Sequence, residues 1–533
     1  MAYYRDLREH IKALEERGKL YRITQKVVKE TELMPLVRWQ FRGLEEKQRG
    51  AFLFENVVDI HGKKYDIPVL VASNAASREV YAIGMKCEPD KIMEKWVQAQ
   101  LNRIKPVLVE NACVHEEVHL RDRLLEHGGL EEFPIPISTP GFDNAPYFSS
   151  PIWISKDPDT GVPNAGVYRG MIKSPTLVGC LSVSGKHLAI HRKKHKDKGN
   201  RYMEVAIVLG APPNLGYAAV SPVPYGTSEY EIAGGIAGEP MELVKCKTID
   251  LEVPARAEIV IEGVIDTELY EREGPFGEYT GYMGLEKIAL FFEVKCITHR
   301  KKPIYHAFIS QFPPSESSKI RQVSNEAVYF KHLKYDCGIS SVLDVAWHES
   351  GGSRQYCVVQ MKKRHPFQPM QALHAVAALN TSGPKMMIAV DDDIDPRDAD
   401  SVNWALSFRM QPARDVKIIE HRYVGLDPSG AEPGDPNSMY PLPNGGSSLM
   451  IDATRKFKYP PTSLPRQEYM EKAKKMWEEI GLPKLNVKTP WHGRELGYWT
   501  DEERKEADLA VQGKHYITGE KLAGQRSDTS CDD

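Results

Sequence analysis

The sequence predicts an α/β plus β chain of several domains, and three observations carry that reading. Helical and strand patterns alternate over roughly the first 115 residues and again beyond 305. The stretch between, residues 116–305, is almost all short strands and turns, the pattern of a barrel or sandwich. The chain has 533 residues, more than one core holds, which sets roughly two to four domains. We divide it into an N-terminal α/β domain (1–115), a strand-rich domain (116–305), a C-terminal α/β domain (306–460), and C-terminal helices with a polar tail (461–533).

In the first domain Leu7, Ile11 and Leu14 share one helical face over residues 3–17, and Gly18 ends the helix. Leu20–Ile23 and Pro68–Ala72 read as strands, and Ile92, Trp96, Val97 and Leu101 mark a helix over 92–104. In the middle block, strands are predicted at 152–155, 177–183, 203–209, 257–264 and 288–297, interrupted by one helix near 187–196. Beyond 305, a helix at His374–Leu379, a buried strand at Lys385–Val390 and a helix capped by the segment Asp391–Arg397 follow in turn. Residues 432–446 hold several Pro, Gly and Asn and read as a loop, and Thr500 with Glu503 forms a capping box for a last helix.

Composition narrows the class. Hydrophobic residues make up 41% and charged residues 27%, a soluble globular balance. A net charge of −3 argues against nucleic acid as a partner. No apolar run reaches the ~18 residues that a membrane helix needs. The N-terminus is charged and polar, unlike a signal peptide, which points to the cytoplasm. Eight cysteines without a Cys-x-x-Cys pair read as reduced core residues.

The most informative stretch is Arg272-Glu273-Gly274-Pro275-Phe276-Gly277-Glu278-Tyr279. Pro275 fixes its φ near about −65°, and the glycines let the chain turn back, so Glu273 and Glu278 are held at a set separation. Carboxylates held near one another or near an arginine have pKa values pushed apart, and a raised one donates a proton near neutrality. The plain alternative is a surface turn with two solvated acids.

Several other motifs have simpler explanations. His115-Glu116-Glu117-Val118-His119 matches a zinc-hydrolase pattern that works only on a helix, whereas 109–120 reads as extended. Asp391-Asp392-Asp393-Ile394-Asp395 resembles a magnesium site, but helix capping accounts for it. Gly234–Gly238 is a weak dinucleotide fingerprint with no strand before it. The basic run His191–Lys196 is a solvated helix face or a landing site for an anionic tail.

Asn164 and Arg169 (in Pro163–Arg169), then His187, Glu239 and the paired glutamates, follow in an order that resembles the UbiD family of decarboxylases. The resemblance runs from Tyr4–Arg8 to Val390–Pro396 and Ile451–Thr454. It implies a central split β-barrel of flavin-reductase type holding prenylated FMN, with a divalent metal, Mn²⁺ or else Fe²⁺ or Mg²⁺, and K⁺. The implied metal ligands are Asn164, His187 and Glu239, with K⁺ held by carbonyls around Ala219–Ser221. Arg169, Lys186, Ser221 and Lys385 join them as implied cofactor-binding residues.

The implied catalytic set is Arg169, Glu273 and Glu278. The implied reaction is reversible, non-oxidative decarboxylation of an aromatic or heteroaromatic acid through a covalent adduct with the cofactor. Arg169 would orient the carboxylate, Glu273 would hold Arg169, and Glu278 would give the proton. Tyr279, His306 and Gln311, with Phe312 and Ser315, are expected to face substrate. The basic run keeps an aryl-CoA acid open as a substrate. A flavin prenyltransferase supplying the cofactor is the implied partner, and a homo-oligomer (dimer or hexamer) the implied assembly. The competing readings are a non-catalytic flavin-binding protein on the same barrel and the zinc hydrolase of His115 and His119.

Overall fold

The computed structural model describes residues 2–525 apart from 183–184, 311, 381, 424–425 and 431–445. The predicted loop at 432–446 therefore lies outside the described residues except for Gly446.

The first helix runs Leu7–Glu16, shorter than predicted, because Asp6 caps it by accepting the Glu9 N–H. It covers a four-stranded sheet in the order Leu20–Ile23, Ala51–Phe54, Val69–Val71, Tyr305–Ala307. The last of these strands comes from the far end of the central domain. The chain thus returns to the first sheet before entering the C-terminal domain.

The centre is a ten-stranded sheet in which every pairing is antiparallel. Its spine is Tyr202–Leu209, Ile259–Asp266 and Lys287–His299, paired in register from Tyr202↔Asp266 to Leu209↔Ile259 and onward to His299. Trp153, Val205, Ile207, Ile261 and Phe292 bury one face together with Leu7, Phe54 and Val71 of the first domain. Ile152, Ile154, Ala206 and Val208 bury the other face against Leu215, Tyr217 and Tyr230. Burial on both faces explains why these strands read as continuous apolar runs instead of alternating. The prediction of a single helix in this block was too few. Pro213–Val220 and Glu229–Ala237 are also helical and cover the second face. They were missed because both are mostly apolar, with Asn214, Glu229 and Glu231 confined to their first turns, and so lack a polar stripe along their length.

The C-terminal sheet has five strands in the order Val342–Trp347, Tyr356–Met361, Met386–Asp391, Gly446–Asp452, Val416–Arg422. Helix Gln368–Leu379 packs its Ala372, Leu373 and Val376 on one face, and Ala399–Arg409 packs Val402 and Ala405 on the other. Asp398, not the 391–397 segment, caps the second helix. Asp391 and Asp393 instead meet the buried Arg409 guanidinium at 3.0 and 2.6 Å. The predicted capping box at Thr500 and Glu503 is present, and the helices Gln467–Glu479, Asp501–Val511 and His515–Ala523 contain no buried residue. Among the described residues no helix is long and apolar enough to cross a membrane.

Candidate active site

The glutamate turn is built by the end of the central sheet. Glu271–Glu273 pairs antiparallel with the start of the long strand, Glu273 opposite Lys287. The chain reverses at Gly274, whose φ is +105°, and a Cβ there would stand 3.0 Å from the Leu285 carbonyl oxygen, so only glycine fits. The Asn144 amide donates to the Gly274 carbonyl at 2.6 Å, and the Tyr147 ring lies tilted against Phe276 with centroids 4.3 Å apart. Phe276–Gly277 then pairs with Met283–Gly284, and the Glu278 N–H donates to Tyr282 O at 2.9 Å. These contacts fix both carboxylates from the backbone up.

Between them stands Arg169, at the tight connection between strands Pro163–Val167 and Gly170–Ser174. Its Nε and Nη2 donate to the two Glu273 oxygens at 2.8 and 2.6 Å, a bidentate pair. Its Nη1 donates to Glu278 Oε1. The Glu273 side chain is fully buried, whereas Glu278 keeps 13% of its side-chain surface open. Burial pushes the Glu278 carboxyl above its usual range, Arg169 pulls it down, and Glu273 pushes it up again, leaving a net rise. Burial disfavours charge on Arg169, but the two carboxylates outweigh it and hold the guanidinium firmly ionised. Arg169 carries five N–H donors, of which these contacts use three, so two remain for a substrate carboxylate. The sequence-predicted trio is therefore one assembled cluster.

The expected metal ligands are only partly brought together. Asn164, buried on its strand, turns Oδ1 to His187 Nδ1 at 3.0 Å, and its Nδ2 has no partner. The carboxylate beside them is Glu229, 3.9 Å from His187 Nδ1, not Glu239. Glu229 begins the helix that ends at Ala237, so Glu239 lies beyond that helix's other end, roughly 12 Å along the axis. There Glu239 is exposed and accepts the Tyr3 N–H at 2.9 Å. Glu229 accepts the Ala165 N–H at 2.8 Å, and burial pushes its carboxyl up to about 8. An amide oxygen, an imidazole and a carboxylate in one pocket are a hard donor set suited to an Mn²⁺-class ion. The sequence signal for Glu229 was its place at the first turn of an apolar helix.

Of the remaining predicted residues, Ser221 turns its hydroxyl back to Tyr217 O at 2.8 Å, and its carbonyl accepts the Val223 N–H at 2.9 Å. Lys186 precedes His187 and reaches solvent, with Arg354 and Arg321 close enough to act on its charge. Burial first, then Arg354 and Arg321, hold its ammonium down to about 8. Lys385 is not at the site: it is exposed on the C-terminal sheet and paired with Asp427 at 2.9 Å. Tyr279 is buried between the Arg321 and Arg354 guanidinium groups, 5.0 and 5.4 Å from its ring centroid. His306 does not face substrate. It belongs to the first sheet, where its Nε2 meets Ser73 Oγ at 3.0 Å and burial lowers it to about 4. Gln311 lies outside the described residues. Ser315 caps helix Glu316–Lys331, and Phe312 is half exposed over Arg42.

The other motifs resolve structurally. Glu117–Leu120 is a strand, so His115 and His119 do not share a helical face. A Cβ on Gly234 would come within 2.5 Å of Ile104 O, and one on Gly235 within 2.6 Å of Ala99 O, so these glycines serve close packing of the helix against its neighbour. In the basic run, Lys194 pairs with Asp157 at 2.8 Å, Lys193 with Asp197 at 2.6 Å, and Arg192 lies over Tyr270 at 4.4 Å.

A carboxyl whose pKa is raised by burial, beside a guanidinium with free donors, equips a protein to take a carboxylic acid and exchange a proton with it. That is the equipment of a carboxylate-processing lyase. The N-terminal, Rift-related central and C-terminal domain models of 3-octaprenyl-4-hydroxybenzoate carboxy-lyase match residues 11–100, 107–313 and 319–453. The chain belongs to the UbiD family and is a carboxy-lyase of that family. An uncharacterised protein of Archaeoglobus fulgidus is 31% identical over 499 residues, covering 90% of this chain and 98% of its own. Among solved structures, the UbiD-class enzyme HmfF from Pelotomaculum thermopropionicum in complex with FMN shares 31% identity at a TM-score of 0.75, covering 88% of this chain and 99% of its own. The vanillic acid decarboxylase of Sedimentibacter hydroxybenzoicus in its closed form shares 26% identity at a TM-score of 0.78, covering 90% of this chain and all of its own.

Proposed function

We propose that this chain catalyses the reversible, non-oxidative decarboxylation of an aromatic or heteroaromatic carboxylic acid. The observation that carries the reading is Arg169 bound at once to the buried Glu273 and to the partly open Glu278. Arg169 orients the substrate carboxylate with its two free N–H groups, and Glu273 keeps the guanidinium from rotating away. Glu278 gives its proton to the carbon that has lost CO₂ and recovers one from solvent.

The central sheet is read as a split barrel of flavin-reductase type, and the structural relatives that hold prenylated FMN and FMN support that cofactor. Asn164, His187 and Glu229 would hold a divalent ion, Mn²⁺ by their chemistry, and through it the cofactor phosphate, with K⁺ near Ser221. When bound, prenylated FMN supplies the electron sink that decarboxylation at an unsaturated carbon requires. A flavin prenyltransferase is then the required supplier. The unpartnered Asn164 Nδ2 and the mutual proximity of Lys186, Arg321 and Arg354 fit an anionic ligand.

Free acids are favoured over aryl-CoA thioesters, because two cations of the basic run that would greet CoA phosphates, Lys193 and Lys194, are already paired with Asp197 and Asp157. A non-catalytic flavin binder has no use for the Arg169 cluster. Protein co-expressed with a flavin prenyltransferase should release CO₂ from a member of a panel of free aryl and heteroaryl acids. Absence of turnover across that panel, with the flavin spectrum present, would leave the binding-protein reading instead. The tail helices, with Met476, Ile480 and Leu522 half exposed or more, suit a homo-oligomer, and light scattering giving a monomer would refute that assembly.

A further inference from the structure

At the end of the long central strand, three side chains from separate segments converge away from the Arg169 cluster and share no residue with it. His119 comes from strand Glu117–Leu120, His299 from the last residue of Lys287–His299, and Glu132 from the turn Gly129–Glu132. Both imidazoles are buried, 3% and 4% exposed. Their rings stack at 15°, with the two Nε2 atoms 3.0 Å apart. Glu132 Oε1 lies 3.6 Å from His299 Nε2. Phe133 closes one side, its ring edge-on to His299 at 5.8 Å.

The hydrogen bonds fix the tautomers. His299 Nδ1 donates to the Arg300 carbonyl at 2.7 Å, so its proton sits on Nδ1 and its Nε2 is a bare lone pair aimed at His119. If His119 Nε2 donates to that lone pair, His119 Nδ1 is left as a buried acceptor, and it has no hydrogen-bond partner. Its nearest carboxylate, Glu126 at 4.0 Å, is no donor when ionised. A cation between the two Nε2 atoms removes this conflict. Both lone pairs then ligate, and the His119 proton moves to Nδ1, facing Glu126. That is the imidazole–carboxylate pairing that accompanies metal-bound histidines.

The spacing agrees. Two nitrogens bound tetrahedrally to zinc-class ions lie roughly 3.3 Å apart, given Zn–N bonds of about 2.0–2.1 Å, and the observed 3.0 and 3.6 Å bracket that value. We propose that His119, His299 and Glu132 form a binding site for a borderline divalent cation of the zinc class, with water or His127 as fourth ligand. His127 stands edge-on to His119 at 5.0 Å. The ion staples the connection 113–133 onto the end of the central sheet. It is distinct from the zinc-hydrolase pattern, since His115 takes no part.

The test uses the full-length protein, stripped with chelator and titrated with zinc and with cobalt. Wild type should bind zinc here with a rise in melting temperature, and cobalt should give the visible ligand-field band of a four-coordinate ion. His299→Ala should abolish both, and Glu132→Gln should weaken zinc by roughly tenfold or more. His187→Gln should leave the band intact, which separates this site from the proposed cofactor metal. Equal zinc uptake by wild type and Glu132→Gln would overturn the proposal. So would a cobalt band that His187→Gln removes and His299→Ala keeps. Should His299→Ala fail to fold, Glu132→Gln decides alone, because Glu132 is partly exposed and the substitution leaves both buried imidazoles in place.

Discussion

In the proposed reaction Glu278 is the proton donor, so turnover should depend on it. Its burial leaves the carboxyl protonated further up the pH scale than an exposed glutamate. Glu278→Gln should lower kcat by about 10²–10⁴ while the flavin spectrum stays. Because the protonated form reacts, the rate should fall as pH rises through the raised pKa, and the residual rate of Glu278→Gln should lack that limb. A variant that keeps wild-type turnover would end the assignment. The metal ligand separates two acids in the same way. Glu229→Gln should lose bound metal and cofactor, whereas Glu239→Gln should retain both, because Glu239 is exposed and hydrogen-bonds to the Tyr3 backbone. Metal content and absorption of the two variants, purified in parallel, check this, and the reverse pattern would restore Glu239.

At the scale of elements, the candidate active site is two short strand pairs bent around one arginine. Their close approach depends on Gly284. A Cβ there would stand 3.2 Å from Glu278 Cγ and 3.3 Å from Arg169 Nη1, tighter than normal contact. Gly284→Ala should therefore displace Glu278 by a few tenths of an ångström and reduce kcat by more than KM, since misplacement by small distances costs rate steeply. Its thermal midpoint should change little, because Met283 and Gly284 are only half buried. Unchanged kcat would mean that the strand pair yields without disturbing the acid. Asn144 and Tyr147, neither of them apparent as functional from the sequence, support the same turn by donating to the Gly274 and Pro275 carbonyls.

The whole molecule is tied together by buried carboxylates that bridge domains. Glu258 on the central sheet accepts from Arg8 of the first helix at 2.9 and 2.8 Å and from Arg300 at 3.1 Å. Glu326 of the helix Glu316–Lys331 likewise joins Arg78 and Arg397, each at 2.9 Å. Removing one partner of a buried pair leaves uncompensated charge. Glu258→Ala should thus cost about 3–5 kcal/mol. Urea unfolding midpoints read that loss, and a midpoint equal to wild type would show that the domains dock by apolar contact alone.

The alternation of helices and strands, the strand-rich middle and the Arg169, Glu273 and Glu278 trio were legible because each has a local cause. Apolar periodicity marks elements, and Gly-Pro punctuation marks a turn. Glu239 was read as the metal ligand because linear order cannot say which end of a helix faces a pocket, and Glu229 occupies the end that does. His306 was assigned to substrate because nothing local announces that a strand rejoins a sheet begun more than two hundred residues earlier. Lys385 was given to the cofactor although Asp427, 42 residues on, neutralises it. The amino-acid order alone determined which segments fold and which residue types can do acid–base work. The tertiary structure decided which of those residues meet, because contacts at long sequence separation follow from how the sheets close and leave no periodic trace in the chain.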